Sequence, residues 1–146
     1  MAKYVIAPVA ALPPGTQRRV TVAGRNVAIW NIRGRFYALR DVCPHHGGPL
    51  SAGQVVGRIS ASRPGCYVHD VAQPMVRCPW HGWEYDLATG QSWFDPRESR
   101  VRAYDVTVEP GSEICTATSR QPGPYVAETI TISVEDDYVV VDLARR

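Results

Sequence analysis

A chain of 146 residues, 45% of them apolar, is about one domain and long enough to bury a sizeable core. Sixteen Lys and Arg against fourteen Asp and Glu leave a formal charge of +2, too near neutrality to demand nucleic acid or an anionic membrane as partner. The longest apolar run, Tyr4 to Leu12, is far short of the roughly 20 residues that span a bilayer, so no transmembrane helix is expected.

That run contains Pro8 and ends at Pro13-Pro14-Gly15, which reads as a strand and a turn rather than a signal peptide; a cytoplasmic protein is expected. Gly and Pro, twelve of each, punctuate the chain and leave little room for helices of ordinary length. Val27 and Ile29 alternate with Ala28 and Trp30, Gly34 turns the chain, and Phe36 to Leu39 returns, predicting a hairpin. Residues 51–73 read as a loop or insertion. Val101 to Val108 reads as another strand, with Tyr104, Val106 and Val108 on one face. Residues 109–125, broken by Pro110-Gly111 and Gln121-Pro122-Gly123-Pro124, read as a second insertion. Ile130, Ile132 and Val134 then alternate with polar residues, and Tyr138 to Leu143 follows across the Glu135-Asp136-Asp137 turn as the partner of a closing hairpin. Short strands with turns between them predict an all-β sandwich or barrel in a single domain, 1–146.

Four cysteines are too few for a disulfide-dense scaffold, so their spacing against four histidines carries more information than their number. Two segments pair a thiolate with an imidazole: Cys43-Pro44-His45-His46-Gly47-Gly48-Pro49 and Cys78-Pro79-Trp80-His81-Gly82-Trp83. Pro44 and Pro79 fix φ inside each loop, and the glycines let backbone N–H groups approach an anionic centre closely. Cys66 and His69 form another C-x-x-H, and by distance from Cys43 alone they would be the partners. Their flanks, Tyr67 and Asp70 instead of Pro and Gly, favour Cys78 and His81, leaving Cys66 as a small hydrophobe and His69 as a loop histidine. Cys115 could pair with Cys66 only in an oxidising compartment.

The two loops resemble those of the Rieske [2Fe–2S] family, whose pattern is C-x-H-x-G followed downstream by C-x-x-H-G. The resemblance continues through His81-Gly82-Trp83-Glu84-Tyr85-Asp86-Leu87-Ala88-Thr89-Gly90, and the strand-like segments 26–41, 101–106 and 130–143 are similar to the flanking strands. It implies a [2Fe–2S] cluster with Cys43 and Cys78 on one iron and His45 and His81 on the other. It also implies an antiparallel β base with an inserted cluster-binding subdomain, here about 41–96. The 32 residues between His45 and Cys78 depart from compact members, which use roughly half as many. C-x-H spacing makes His46 a neighbour rather than a ligand, and Trp80, Trp83 and Trp93 are expected to shield the centre.

Members with the highest potentials add a disulfide between the loops and a serine hydroxyl near a sulfide. Trp80 and Trp83 stand at two of those positions and the first loop has no second Cys, so Tyr85 alone of those polar partners remains. The resemblance is therefore to the ferredoxins and oxygenase-associated domains. Two His beyond the ligands and no nicotinamide or flavin motif point to a one-electron carrier between a reductase and a terminal oxygenase, not an oxygenase in itself. The other readings are a small Rieske subunit of an oxygenase complex and a zinc-stabilised binding module.

Overall fold

The computed structural model describes residues 3–92, 95, 97, 99–116, 120–122 and 136–143. The chain divides into two compact units, one formed by 1–40 with 104–146 and the other by 41–103.

The first unit is built on β1 (Lys3–Pro8), β2 (Gln17–Val22), β3 (Arg25–Ile32) and β4 (Arg35–Arg40). Two-residue turns join β2 to β3 and β3 to β4. Ala23-Gly24 and Arg33-Gly34 both have positive φ at each position, the combination whose twist matches that of the paired strands. Gly34 N–H is further fixed by donating to the Asn31 side-chain carbonyl at 2.8 Å. The hairpin expected around Gly34 is therefore present, with Trp30 opposite Tyr37 and Ile29 opposite Ala38. Ala28 and Trp30 are buried along with Val27 and Ile29, so β3 is covered on both faces.

Leaving the second unit, the chain enters β8 (Ala103–Pro110), forms the short helix α1 (Gly111–Thr116) and β9 (Arg120–Pro122), and ends in β10 (Asp137–Asp142). The sheet order is β2-β3-β4-β8-β10-β1-β9; β2–β3, β3–β4, β8–β10 and β10–β1 pair antiparallel, and β9 lies parallel to β1. Ile6, Ala7, Val27, Ile29, Tyr104, Val139 and Val141 share one core, and an irregularity between Val5 and Ala7 turns both Ile6 and Ala7 inward. On the opposite face Val5, Tyr138 and Val140 are capped by Ile114 of α1. The strand expected over 101–108 and the final strand are thus present. The alternating segment 130–134 and Trp93 lie outside the described residues.

The second unit holds a three-stranded antiparallel sheet of β5 (Gln54–Arg63), β6 (Cys66–Arg77) and β7 (Glu84–Asp86) in that order. The 51–73 stretch is therefore not a loop. Gln54–Gly57 pairs with Pro74–Arg77, residues 71–73 drop out of the ladder, and pairing resumes from Arg58 opposite Asp70 to Arg63 opposite Cys66. The distal half is a two-stranded arm in which Ile59 (65%) and Tyr67 (73%) are exposed. At its base the Arg77 guanidinium grips Glu84 on the facing strand at 2.9 and 3.1 Å, fixing the register one residue before Cys78.

Candidate metal centre

The segments Cys43–Gly48 and Cys78–Trp83 fold into loops with the same backbone frame. In each, the cysteine carbonyl accepts from the N–H four residues on, Gly47 at 2.7 Å and Gly82 at 3.0 Å. The cysteine N–H in turn donates to the carbonyl five residues on, Gly48 at 2.8 Å and Trp83 at 2.7 Å. The fourth residue after each cysteine must take positive φ, +85° at Gly47 and +75° at Gly82, which a side chain rarely tolerates. Sequence supplies Gly at both positions, and the two loops converge as a pair.

Their ends are anchored separately. Buried Asp41 accepts from the Ser51 N–H at 2.7 Å and the Ser51 hydroxyl at 2.6 Å, closing the base of the first loop. After the second loop, Asp86 caps a turn by accepting from Ala88 and Thr89, and Gly90 N–H closes on the Asp86 carbonyl at 2.7 Å.

Cys43 and Cys78 are both buried, and their thiols are neighbours. Desolvation pushes the Cys78 thiol up, and the nearby Cys43 adds to it, against the opposing effect of the Trp80 and His81 backbone N–H groups directed at its sulfur. The Tyr85 hydroxyl lies 3.3 Å from Cys43 Sγ. The imidazoles of His45 and His81 meet edge to face with centroids 4.9 Å apart, and Trp83 stacks on His45 at 4.2 Å with the planes 13° apart. Desolvation, reinforced by the His46 and His81 imidazoles, holds His45 below the ordinary histidine range.

The donor set fits a [2Fe–2S] cluster. Two buried sulfurs side by side are placed to act together as thiolate ligands, and His45 Nδ1 is buried without a hydrogen-bond partner. Such a nitrogen is costly unless a metal takes its lone pair. The two N–H groups at Cys78 and the hydroxyl at Cys43 match donors that stabilise charge on sulfur.

The structure brings Cys43, His45, Cys78 and His81 together. It also brings in His46, which the spacing set aside: its ring centroid is 4.0 Å from that of His45 and 5.0 Å from that of His81, and three ligand nitrogens lie within 4.8 Å of one another. In the shared frame His46 stands at the position that His81 occupies in the second loop, an equivalence visible only once both loops are aligned on their glycines. Cys66 and His69 are not at the site. Cys66 begins β6 and Cys78 follows its last residue, so the two lie at opposite ends of that twelve-residue strand. The Cys66 sulfur accepts from Arg63 Nε at 3.1 Å, and His69 lies across Gly57. Trp83 stacks on His45 as expected, whereas Trp80 is 56% exposed and lies over Gly48.

Gly48 has a signal of its own. A Cβ there would lie 2.8 Å from Cys78 Sγ and 3.0 Å from Trp80 Cγ. Gly48→Ala is expected to cut iron content per chain several-fold while leaving the far-ultraviolet circular dichroism of the strands unchanged, as measured on protein expressed under identical conditions.

A family model of the Rieske [2Fe–2S] domain matches residues 2–105. The chain is 30% identical over 122 residues to the 3-phenylpropionate/cinnamic acid dioxygenase ferredoxin subunit of Escherichia coli K12, covering 84% of this chain and the whole of that one. The ferredoxin of carbazole 1,9a-dioxygenase from Nocardioides aromaticivorans superposes with a TM-score of 0.57 at 26% identity, over 75% of this chain and 91% of that one. A nitrite reductase small subunit from Mycobacterium tuberculosis superposes with a TM-score of 0.63 over 98% and 96% of the two chains, and at 20% identity shares the fold alone.

Proposed function

Because this chain belongs to the Rieske [2Fe–2S] domain family, we propose that it is a ferredoxin component, taking single electrons from a reductase and passing them to a terminal oxygenase. The observation that carries this reading is the convergence of two buried thiols and two imidazoles on loops of one frame, with one imidazole edge exposed. In this reading Cys43 and Cys78 hold one iron and His45 and His81 the other.

A bound cluster of this type supplies a one-electron centre that is neutral when oxidised and carries one negative charge when reduced. The residues around it do the rest. Tyr85 donates to Cys43, the Trp80 and His81 amides donate to Cys78, and Trp83 keeps water from the inner side of His45. Pro44, His46, Pro79, Trp80 and His81 are exposed around the ligand histidines and form the face on which partners dock. A small, transient contact suits a carrier that must release each partner after transfer. Cys66, outside the centre, is a free thiol, which suits a reducing compartment, the cytoplasm. No described helix is long and apolar enough to cross a membrane.

The test is transfer itself. Reduced holo-protein mixed anaerobically with a cognate oxygenase is expected to lose its reduced spectrum at one electron per chain. Exposed alone to O₂ and an aromatic substrate, it is expected to yield no hydroxylated product. Product formed without added oxygenase would overturn the carrier reading.

A further inference from the structure

Tyr85 is fully buried, and its hydroxyl lies between two partners, Cys43 Sγ at 3.3 Å and Ser99 Oγ at 3.4 Å. Nothing in the spacing of the ligand loops points to Ser99, which is fourteen residues beyond Tyr85. Its position is nevertheless built. The Ser99 N–H donates to the Asp95 carbonyl at 3.0 Å, the adjoining Arg100 bridges to Gln91 and reaches the Thr89 carbonyl, and Val101 N–H donates to the Gly90 carbonyl at 2.9 Å. The Ser99 hydroxyl is thus presented to Tyr85 from a backbone bonded at Ser99 and, two residues on, at Val101.

Proton counting sets the direction of the chain. A ligand thiolate has no hydrogen, so Tyr85 must use its single O–H toward Cys43. Only a lone pair of the Tyr85 oxygen is then left for Ser99, which must be the donor. A donor behind a donor polarises it and strengthens the bond in front.

We infer that Ser99 is a positioning residue that acts through Tyr85, orienting and polarising its hydroxyl toward Cys43 and so raising the reduction potential of the centre. This rests on Cys43 being a ligand. The contact is longer than an ordinary hydroxyl pair, so the contribution of Ser99 is the smaller part of the effect of Tyr85. No change in the protein's cofactor or partners is involved, only in the stability of its reduced state.

A double-variant cycle read as midpoint potential on purified holo-protein tests it. Tyr85→Phe is expected to lower the potential, Ser99→Ala to lower it by less, and Tyr85→Phe/Ser99→Ala to match Tyr85→Phe alone. Ser99→Thr, which retains the hydroxyl, is expected to restore the wild-type value. A rise in potential for Ser99→Ala would show Ser99 competing for the tyrosine hydrogen and would overturn the inference. So would a shift that persists in the Tyr85→Phe background, or no shift at all. The ligand reading fails separately, if Cys43→Ala retains the cluster with an unchanged visible spectrum.

Discussion

Cys43→Ser and Cys78→Ser are each expected to yield a protein that has lost its brown colour, with iron and acid-labile sulfide reduced by more than about tenfold, while Cys66→Ser is expected to remain brown. The contrast follows from where the sulfurs lie. Cys43 and Cys78 are buried beside one another, Cys78 with the Trp80 and His81 amides directed at its sulfur, and no other described side chain is placed to supply a replacement thiolate. Cys66 stands at the far end of β6 and faces Arg63. His45→Ala and His81→Ala are expected to behave like the cysteine variants. His46→Ala separates proximity from ligation: the His46 ring touches the imidazoles of His45 and His81, yet the variant is expected to retain a full complement of iron. Visible absorbance with iron and sulfide analysis measures every variant. Bleaching by Cys66→Ser with colour retained in Cys78→Ser would reverse the assignment.

The midpoint potential at pH 7 is expected at the low end of the Rieske range, about −150 mV. Reduction adds negative charge to the sulfides and thiolates, and each hydrogen bond to them stabilises the reduced state. At the position where a serine would serve a sulfide, Trp83 is instead stacked on His45 and offers no hydroxyl. Among the described residues the Tyr85 hydroxyl lies at the Cys43 sulfur, and the Trp80 and His81 amides are directed at that of Cys78. A redox titration returning a value above roughly +150 mV would mean that donors beyond these act on the cluster.

The parts of this fold that were legible in the sequence are those whose cause is local. Cys43-Pro44-His45 and Cys78-Pro79-Trp80-His81 declare their chemistry because ligand spacing and loop geometry are settled within six residues. The β3–β4 hairpin was legible for the same reason, Arg33-Gly34 between alternating strands. The arm was not. Arg58-Ile59-Ser60-Ala61-Ser62-Arg63 alternates only through Ile59 and Ala61, two positions between turn residues, and neither face of the distal pair meets a core, so its pairing comes from the facing strand. Nor could sequence show the approach of His46 to His81, the closeness of Gly48 to Cys78, or the reach of Ser99 to Tyr85. Each joins residues from separate elements, and tertiary packing alone brings them together.

The arm also governs how this protein fails under stress. A two-stranded ribbon with both faces in water has little apolar burial to hold it closed, so its distal half opens at a free energy well below that of the whole molecule. A protease that catches the open form cuts near Pro64-Gly65, at the end of the ribbon remote from Cys78. The two fragments remain joined by the proximal pairing of 54–57 with 74–77 and by the Arg77–Glu84 clasp. An ageing preparation would then show two bands on a denaturing gel while retaining its colour, and a clipped molecule would pass for an intact one in any assay that reads only the metal.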